Sequence, residues 1–132
     1  MSKWVPILLI DDDELVRIEL KRTLNLYGFK VYLAKDGPTG FELAKKKKPK
    51  FILLDWMMPG MNGLETLSEL KHGKNTMHIP VFMLTDRGMI GDLDLAFELG
   101  VDDYVIKPLD LTELGKIIKA KWEKYTDQTS VR

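Results

Sequence analysis

Three aspartates and a lysine stand out because they sit at the ends of short apolar runs. Asp11 and Asp12 come after Val5–Ile10, Asp55 after Phe51–Leu54, and Lys107 after Tyr104–Ile106, while Thr85 follows Val81–Leu84. If those runs are neighbouring strands, three carboxylates, a hydroxyl and an ammonium converge on one edge. Uncompensated carboxylates at short range repel, and a divalent cation relieves the conflict. Magnesium prefers hard oxygen ligands, usually one or two carboxylates with waters and a phosphate filling the rest. A lysine beside such a cluster is a compact charge suited to a phosphoryl oxygen. The chemistry pointed to is the binding of a divalent cation together with a phosphate or phosphoryl group. Taken singly, each residue has a plainer role: an aspartate after a strand is commonly a helix cap, and Asp13 is read that way.

The elements that must position these groups follow from the hydrophobic pattern. The runs Val5–Ile10, Val31–Ala34, Phe51–Leu54, Val81–Leu84 and Tyr104–Ile106 do not alternate with polar residues, so they read as strands buried on both faces. Between them the spacing is helical. Val16, Leu20, Leu24 and Tyr27 share one face, as do Leu64, Leu67 and Leu70; Leu93, Ala96 and Phe97; and Leu114, Ile117, Ile118 and Trp122. Gly28 and Gly100 stand where helix C-terminal caps are expected, and Pro38 suits a first turn. Asn62 with Glu65, and Asp110 with Glu113, have capping-box spacing. Strand and helix alternate throughout, which implies an α/β fold with a parallel sheet and helices on both faces. In such sheets ligands bind beyond the carboxyl ends of the strands. The periodicity stops after Tyr125, so a domain over residues 1–125 is expected, with 126–132 a flexible tail or truncated linker.

Composition narrows the function classes. The chain has 132 residues, enough for one domain, with 45% hydrophobic and 30% charged residues, the balance of a soluble globular protein. It has no cysteine, which excludes disulfides, thiolate zinc sites and cysteine nucleophiles and fits a cytoplasmic location. Twenty basic residues balance twenty acidic ones, which argues against a dedicated nucleic-acid or membrane-surface binder. The first apolar run, Val5–Ile10, is too short for a signal peptide or a membrane span. No Walker-type glycine loop, GxGxxG or HExxH is present.

The joint pattern is far more specific than its members. Ile7-Leu8-Leu9-Ile10-Asp11-Asp12, Leu53-Leu54-Asp55-Trp56-Met57-Met58-Pro59-Gly60-Met61-Asn62-Gly63, Met83-Leu84-Thr85 and Asp102-Asp103-Tyr104-Val105-Ile106-Lys107-Pro108 closely resemble the receiver domain of two-component response regulators. The resemblance runs from about Val5 to Tyr125. It implies a flavodoxin-like, doubly wound sheet of five parallel strands in the order 2-1-3-4-5. It implies that Asp55 is the phosphoacceptor, phosphorylated by a sensor histidine kinase, a phosphotransfer protein or a small phosphodonor, with weak self-catalysed phosphorylation and dephosphorylation. Mg2+ would be held by Asp12, Asp55 and the backbone carbonyl of Met57, with Asp11 assisting. Thr85 and Lys107 would hold the phosphoryl oxygens, and Pro108 would follow Lys107 through a cis bond. Thr85 and Tyr104 would form the switch that alters the face made by the fourth helix, fifth strand and fifth helix. The partner downstream would be another protein or a C-terminal effector domain, without direct nucleic-acid or membrane binding by this domain. Lys116, Lys119 and Lys121 stand where DNA-binding receivers that dimerise usually carry an arginine, so a monomer or weak dimer is expected.

Asp86 departs from the small residue usual after the threonine, and Met57 and Arg87 occupy positions the family varies. Lys45–Lys48 with Lys50 reads as the solvated end of the second helix, complementing its dipole. His72 and His78 lack metal-ligand spacing and read as surface residues in a polar loop region. A second resemblance comes from a different class: Asp11-Asp12-Asp13-Glu14-Leu15 is similar to the DxDx motif of haloacid-dehalogenase-type phosphatases. That reading makes Asp11 the nucleophile and Asp13 the acid/base, but it leaves Asp55 without a role, and such enzymes normally need a longer chain.

Overall fold

A computed structural model of the chain describes residues 4–56, 62–85 and 93–130. Five parallel strands, β1 (Val5–Ile10), β2 (Phe29–Ala34), β3 (Phe51–Asp55), β4 (Val81–Thr85) and β5 (Asp103–Ile106), form one sheet in the order β2-β1-β3-β4-β5. The helices between and after them are α1 (Glu14–Leu26), α2 (Gly37–Lys47), α3 (Gly63–His72), α4 (Leu93–Glu98) and α5 (Leu114–Ser130). The expected α/β fold, its strand order and its five helices are all present.

Because side chains alternate across a strand, the unbroken apolar runs feed two cores. Leu8, Ile10, Ile52, Leu54 and Met83 pack with Leu67, Leu70, Ala44 and Ala96 on one face of the sheet. Ile7, Leu9, Phe51, Leu53, Phe82 and Val105 pack with Leu20, Leu24, Leu114 and Ile118 on the other. A strand with water on one side would need polar residues at every second position; here both faces are covered. Phe51 anchors the second core, stacked on Trp122 at 4.6 Å and edge-on to Phe29 at 5.6 Å.

Local signals act as their chemistry requires. The Asp13 carboxylate caps α1, accepting from the amides of Leu15 and Val16. Asn62 and Glu65 form a complete capping box on α3. Asp110 acts as a simple N-cap and not as the expected capping box with Glu113: its carboxylate accepts from the Thr112 amide, and the helical chain begins with a 3-10 turn, Leu111–Glu113. Gly28 and Gly100 take φ of +91° and +100°, which a side chain would resist.

Two expectations are corrected, and one element runs longer than its apolar spacing. α5 continues helically through Ser130, past the end of the apolar spacing, with the Thr126 hydroxyl donating to the carbonyls of Trp122 and Glu123. Once nucleated, a helix propagates with one hydrogen bond per added residue and needs no buried side chain to continue. His72 lies in the last turn of α3, not in a loop, its Nδ1 2.7 Å from the Ser68 carbonyl. Among the described residues no peptide bond is cis, so Lys107–Pro108 is trans, the intrinsically preferred isomer.

Candidate functional site

Strand register builds the site. Ile10 pairs with Leu54, Asp55 with Leu84, and Thr85 with Ile106, so the residues at or just beyond these strand ends lie along one edge. Two backbone bonds lock that edge: the Trp56 amide donates to the Leu84 carbonyl at 3.0 Å, and the Lys107 amide to the Thr85 carbonyl at 2.9 Å. Gly63 matters for the same reason. Its amide donates to the Trp56 carbonyl at 2.8 Å, and a Cβ there would come within 2.7 Å of the backbone of Asp55 and Trp56. Only glycine lets α3 start so close to the end of β3.

Asp11, Asp12 and Asp55 each offer a carboxylate oxygen, and these oxygens lie within 4.8 Å of one another. Asp11 and Asp55 are buried, while Asp12 is exposed. The Lys107 ammonium donates to Asp55 Oδ1 at 3.0 Å and stands 3.7 Å from Asp11 Oδ2. Asp11 is held by its other oxygen, which accepts from the Asp13 amide at 2.9 Å, and the Arg17 guanidinium donates to its carbonyl at 2.7 Å. Thr85 is buried at the end of β4. Asp11, Asp12, Asp55 and Lys107 are thus brought together, with Thr85 at the end of the neighbouring strand, while Met57, Asp86 and Arg87 lie outside the described residues.

The electrostatics are those of a crowded, partly buried acidic site. Burial pushes the Asp55 carboxyl up to about 6, against the pull of Lys107, and nearby Asp11 adds to the rise. Burial also raises Asp11, opposed by the Asp13 amide and Lys107. Asp11 Oδ2 is buried and accepts no hydrogen bond among the described residues. A buried, unsatisfied carboxylate oxygen facing two more carboxylates is the donor set a hard divalent cation takes. The residues therefore fit such an ion. They fit a phosphatase less well, because the Asp13 carboxylate is spent on capping α1.

Comparison with known proteins agrees with this geometry. The profile of the response regulator receiver domain matches residues 7–119. The DNA-binding dual master transcriptional regulator RpaA of Synechocystis is 38% identical over 114 residues, covering 86% of this chain and 47% of RpaA. The chain spans about half the length of the curated relatives it matches. Among solved structures, Vibrio cholerae chemotaxis protein CheY4 superposes with a TM-score of 0.79 at 25% identity, over 89% of this chain and 98% of CheY4. The receiver domain of sensor histidine kinase PA1611 from Pseudomonas aeruginosa, solved with magnesium in its active-site cleft, has a TM-score of 0.77 at 27% identity, over 90% of this chain and 97% of that one.

Proposed function

The chain belongs to the response regulator receiver family, and on that premise we propose that Asp55 accepts a phosphoryl group from a sensor histidine kinase or phosphotransfer protein. The observation that carries this reading is the grouping of Asp55 with Asp11, Asp12 and Lys107 at the carboxyl edge of the sheet. A carboxyl titrating near 6 is mostly ionised at neutral pH and can attack. An Asp55 oxygen bonds to phosphorus as the phosphorus–nitrogen bond of the donor breaks. The electron pair stays on the donor imidazole, which takes up a proton.

Lys107, already on Asp55 Oδ1, supplies positive charge to the transferring oxygens, and the Thr85 hydroxyl donates to another. Asp11, Asp12 and Asp55, with the Met57 carbonyl, would hold Mg2+. When bound, that ion neutralises charge on the three carboxylates and on the phosphoryl oxygens. The same groups support slow phosphorylation by small phosphodonors and slow self-catalysed hydrolysis, so the chain is a switch rather than a turnover enzyme.

The output face comprises α4, β5 and α5. Tyr104 is half-buried there, edge-on to Phe97 at 6.3 Å with the Lys121 ammonium 5.4 Å from its ring centre. Movement of Thr85 toward the phosphoryl group would redraw this face and change affinity for a downstream protein or an effector domain. We place the domain's end at Tyr125, which still packs on the second core, and residues 126–132 beyond it. The reading implies a cytoplasmic monomer or weak dimer that leaves nucleic-acid contacts to other domains; no helix among the described residues is long and apolar enough to cross a membrane.

Beryllofluoride with magnesium tests the site. It should quench or shift the fluorescence of buried Trp56 in the wild type and not in Asp55→Asn; an equal response in both would remove Asp55 from its role.

A further inference from the structure

The edge of the sheet farthest from β5 carries a feature that phosphoryl transfer does not use. β2 is an outer strand, paired with β1, and its other edge has no strand partner among the described residues. Beside it a groove opens toward α1, lined by Trp4, Lys21, Asn25, Lys30, Val31 and Tyr32, with no acidic side chain among them. Trp4 is 52% exposed. The ammonium groups of Lys30 and Lys47 lie 5.5 and 5.2 Å from the centre of the Tyr32 ring. Lys47 ends α2, so part of the lysine run is turned onto the β2 surface as well as complementing the helix dipole.

We propose that this edge and its groove dock an extended acidic peptide segment of a partner protein, added as a further strand beside β2. An open strand edge offers backbone donors and acceptors that another extended backbone satisfies. The cations are lysines, point charges that serve single carboxylates, and the groove holds no arginine fork for phosphates. Trp4 and Tyr32 supply flat apolar surface for alternate side chains of the added strand. The same lysines keep a second copy's β2 away by like-charge repulsion, so they select an acidic strand over self-pairing. The site lies toward the start of β2: Lys30 pairs with Pro6, whereas Ala34, at the other end, pairs with Ile10 next to the acidic cluster. Docking there leaves the phosphoryl-transfer edge open.

The test uses the full chain and a fluorescent eight-residue peptide alternating glutamate and valine, followed by anisotropy at low and high salt. The peptide should bind, more weakly at high salt, and Lys30→Glu and Lys47→Glu should each weaken it about tenfold. Lys124→Glu on α5 should leave binding unchanged. Hydrogen exchange at the β2 amides should slow when the peptide is bound. Failure of the peptide to bind, binding indifferent to both reversals, or no slowing in β2 would overturn the proposal. Tighter binding of a ten-nucleotide single strand or of phosphatidylserine vesicles, lost in the same two variants, would overturn it in favour of those ligands. Folding of each variant is checked by circular dichroism, and the two reversals lie on different elements, so a fold defect in one leaves the other decisive.

Discussion

Lys107 reaches back from the end of β5 to Asp55 at the end of β3, with 3.0 Å between ammonium and carboxylate, and the same ammonium stands 3.7 Å from Asp11. Among the described residues one cation therefore serves two buried carboxylates, and the remaining negative charge is left for a metal cation to balance. This imbalance shapes what substitutions in the site should do.

The first prediction concerns stability. Asp55 titrates near 6 in the fold against an ordinary 3.8, so between those values the folded state binds more protons than the unfolded one. Stability therefore falls as pH rises through that window, and above it the ionised Asp55 costs roughly 1–3 kcal/mol. Metal-free Asp55→Asn should be more stable than wild type at pH 7.5, with the gap closing toward pH 4. Urea unfolding at both pH values measures it; a variant less stable at neutral pH would contradict the electrostatics.

A second prediction separates two adjacent aspartates. Asp12→Ala should weaken magnesium binding by more than about tenfold, as direct ligands outweigh the supporting groups whose loss already costs 10–100-fold. Asp13→Ala should leave magnesium affinity nearly unchanged but lower stability by about 1 kcal/mol, because its carboxylate caps α1. Magnesium titration of Trp56 fluorescence, paired with thermal melts, reads both. The reverse pattern would mean that the acidic cluster is set one residue off.

Gly63→Ala provides the third. A methyl group there meets the backbone of Asp55 and Trp56 at 2.7 Å, so α3 or the end of β3 must move. We expect a loss of about 1–3 kcal/mol and slower phosphorylation by acetyl phosphate. Wild-type stability would show that the approach relaxes at no cost.

The fourth concerns Lys71, whose ammonium donates to the Ile79 carbonyl and to Asp102 Oδ2, both at 2.9 Å, while Asp102 Oδ2 also accepts from the Val81 amide at 2.8 Å. This clamp ties the end of α3 to the starts of β4 and β5. Lys71→Ala should cost about 1–3 kcal/mol by leaving partly buried acceptors unpaired, without altering magnesium affinity. A thermal melt unchanged from wild type would dismiss the clamp.

These four sites differ in how visible they were in the amino-acid order. Asp11, Asp55, Thr85 and Lys107 were legible because a parallel sheet delivers every strand end to one edge, and the apolar runs mark those ends. The Lys71–Asp102 clamp was not, since it joins residues 31 positions apart whose types are ordinary on any surface. Gly63 was visible as a motif residue, but the clash that demands glycine depends on how closely α3 approaches β3. The length of α5 was missed because helical hydrogen bonding outruns the apolar spacing, and the start of β2 because Phe29 and Lys30 precede the run that marked it. Asp110 shows the same limit: spacing predicts Glu113 as its partner, whereas at the 3-10 start of the helix its carboxylate accepts from Thr112.

The central claim is that Asp55 carries the phosphoryl group. Incubating wild type, Asp55→Asn and Asp11→Asn with acetyl phosphate and magnesium, then weighing the intact chains and mapping the peptides, tests it most directly. The account predicts one phosphoryl group on wild type, located at Asp55, and none on Asp55→Asn. Equal incorporation by Asp55→Asn, or label located at Asp11, would contradict it.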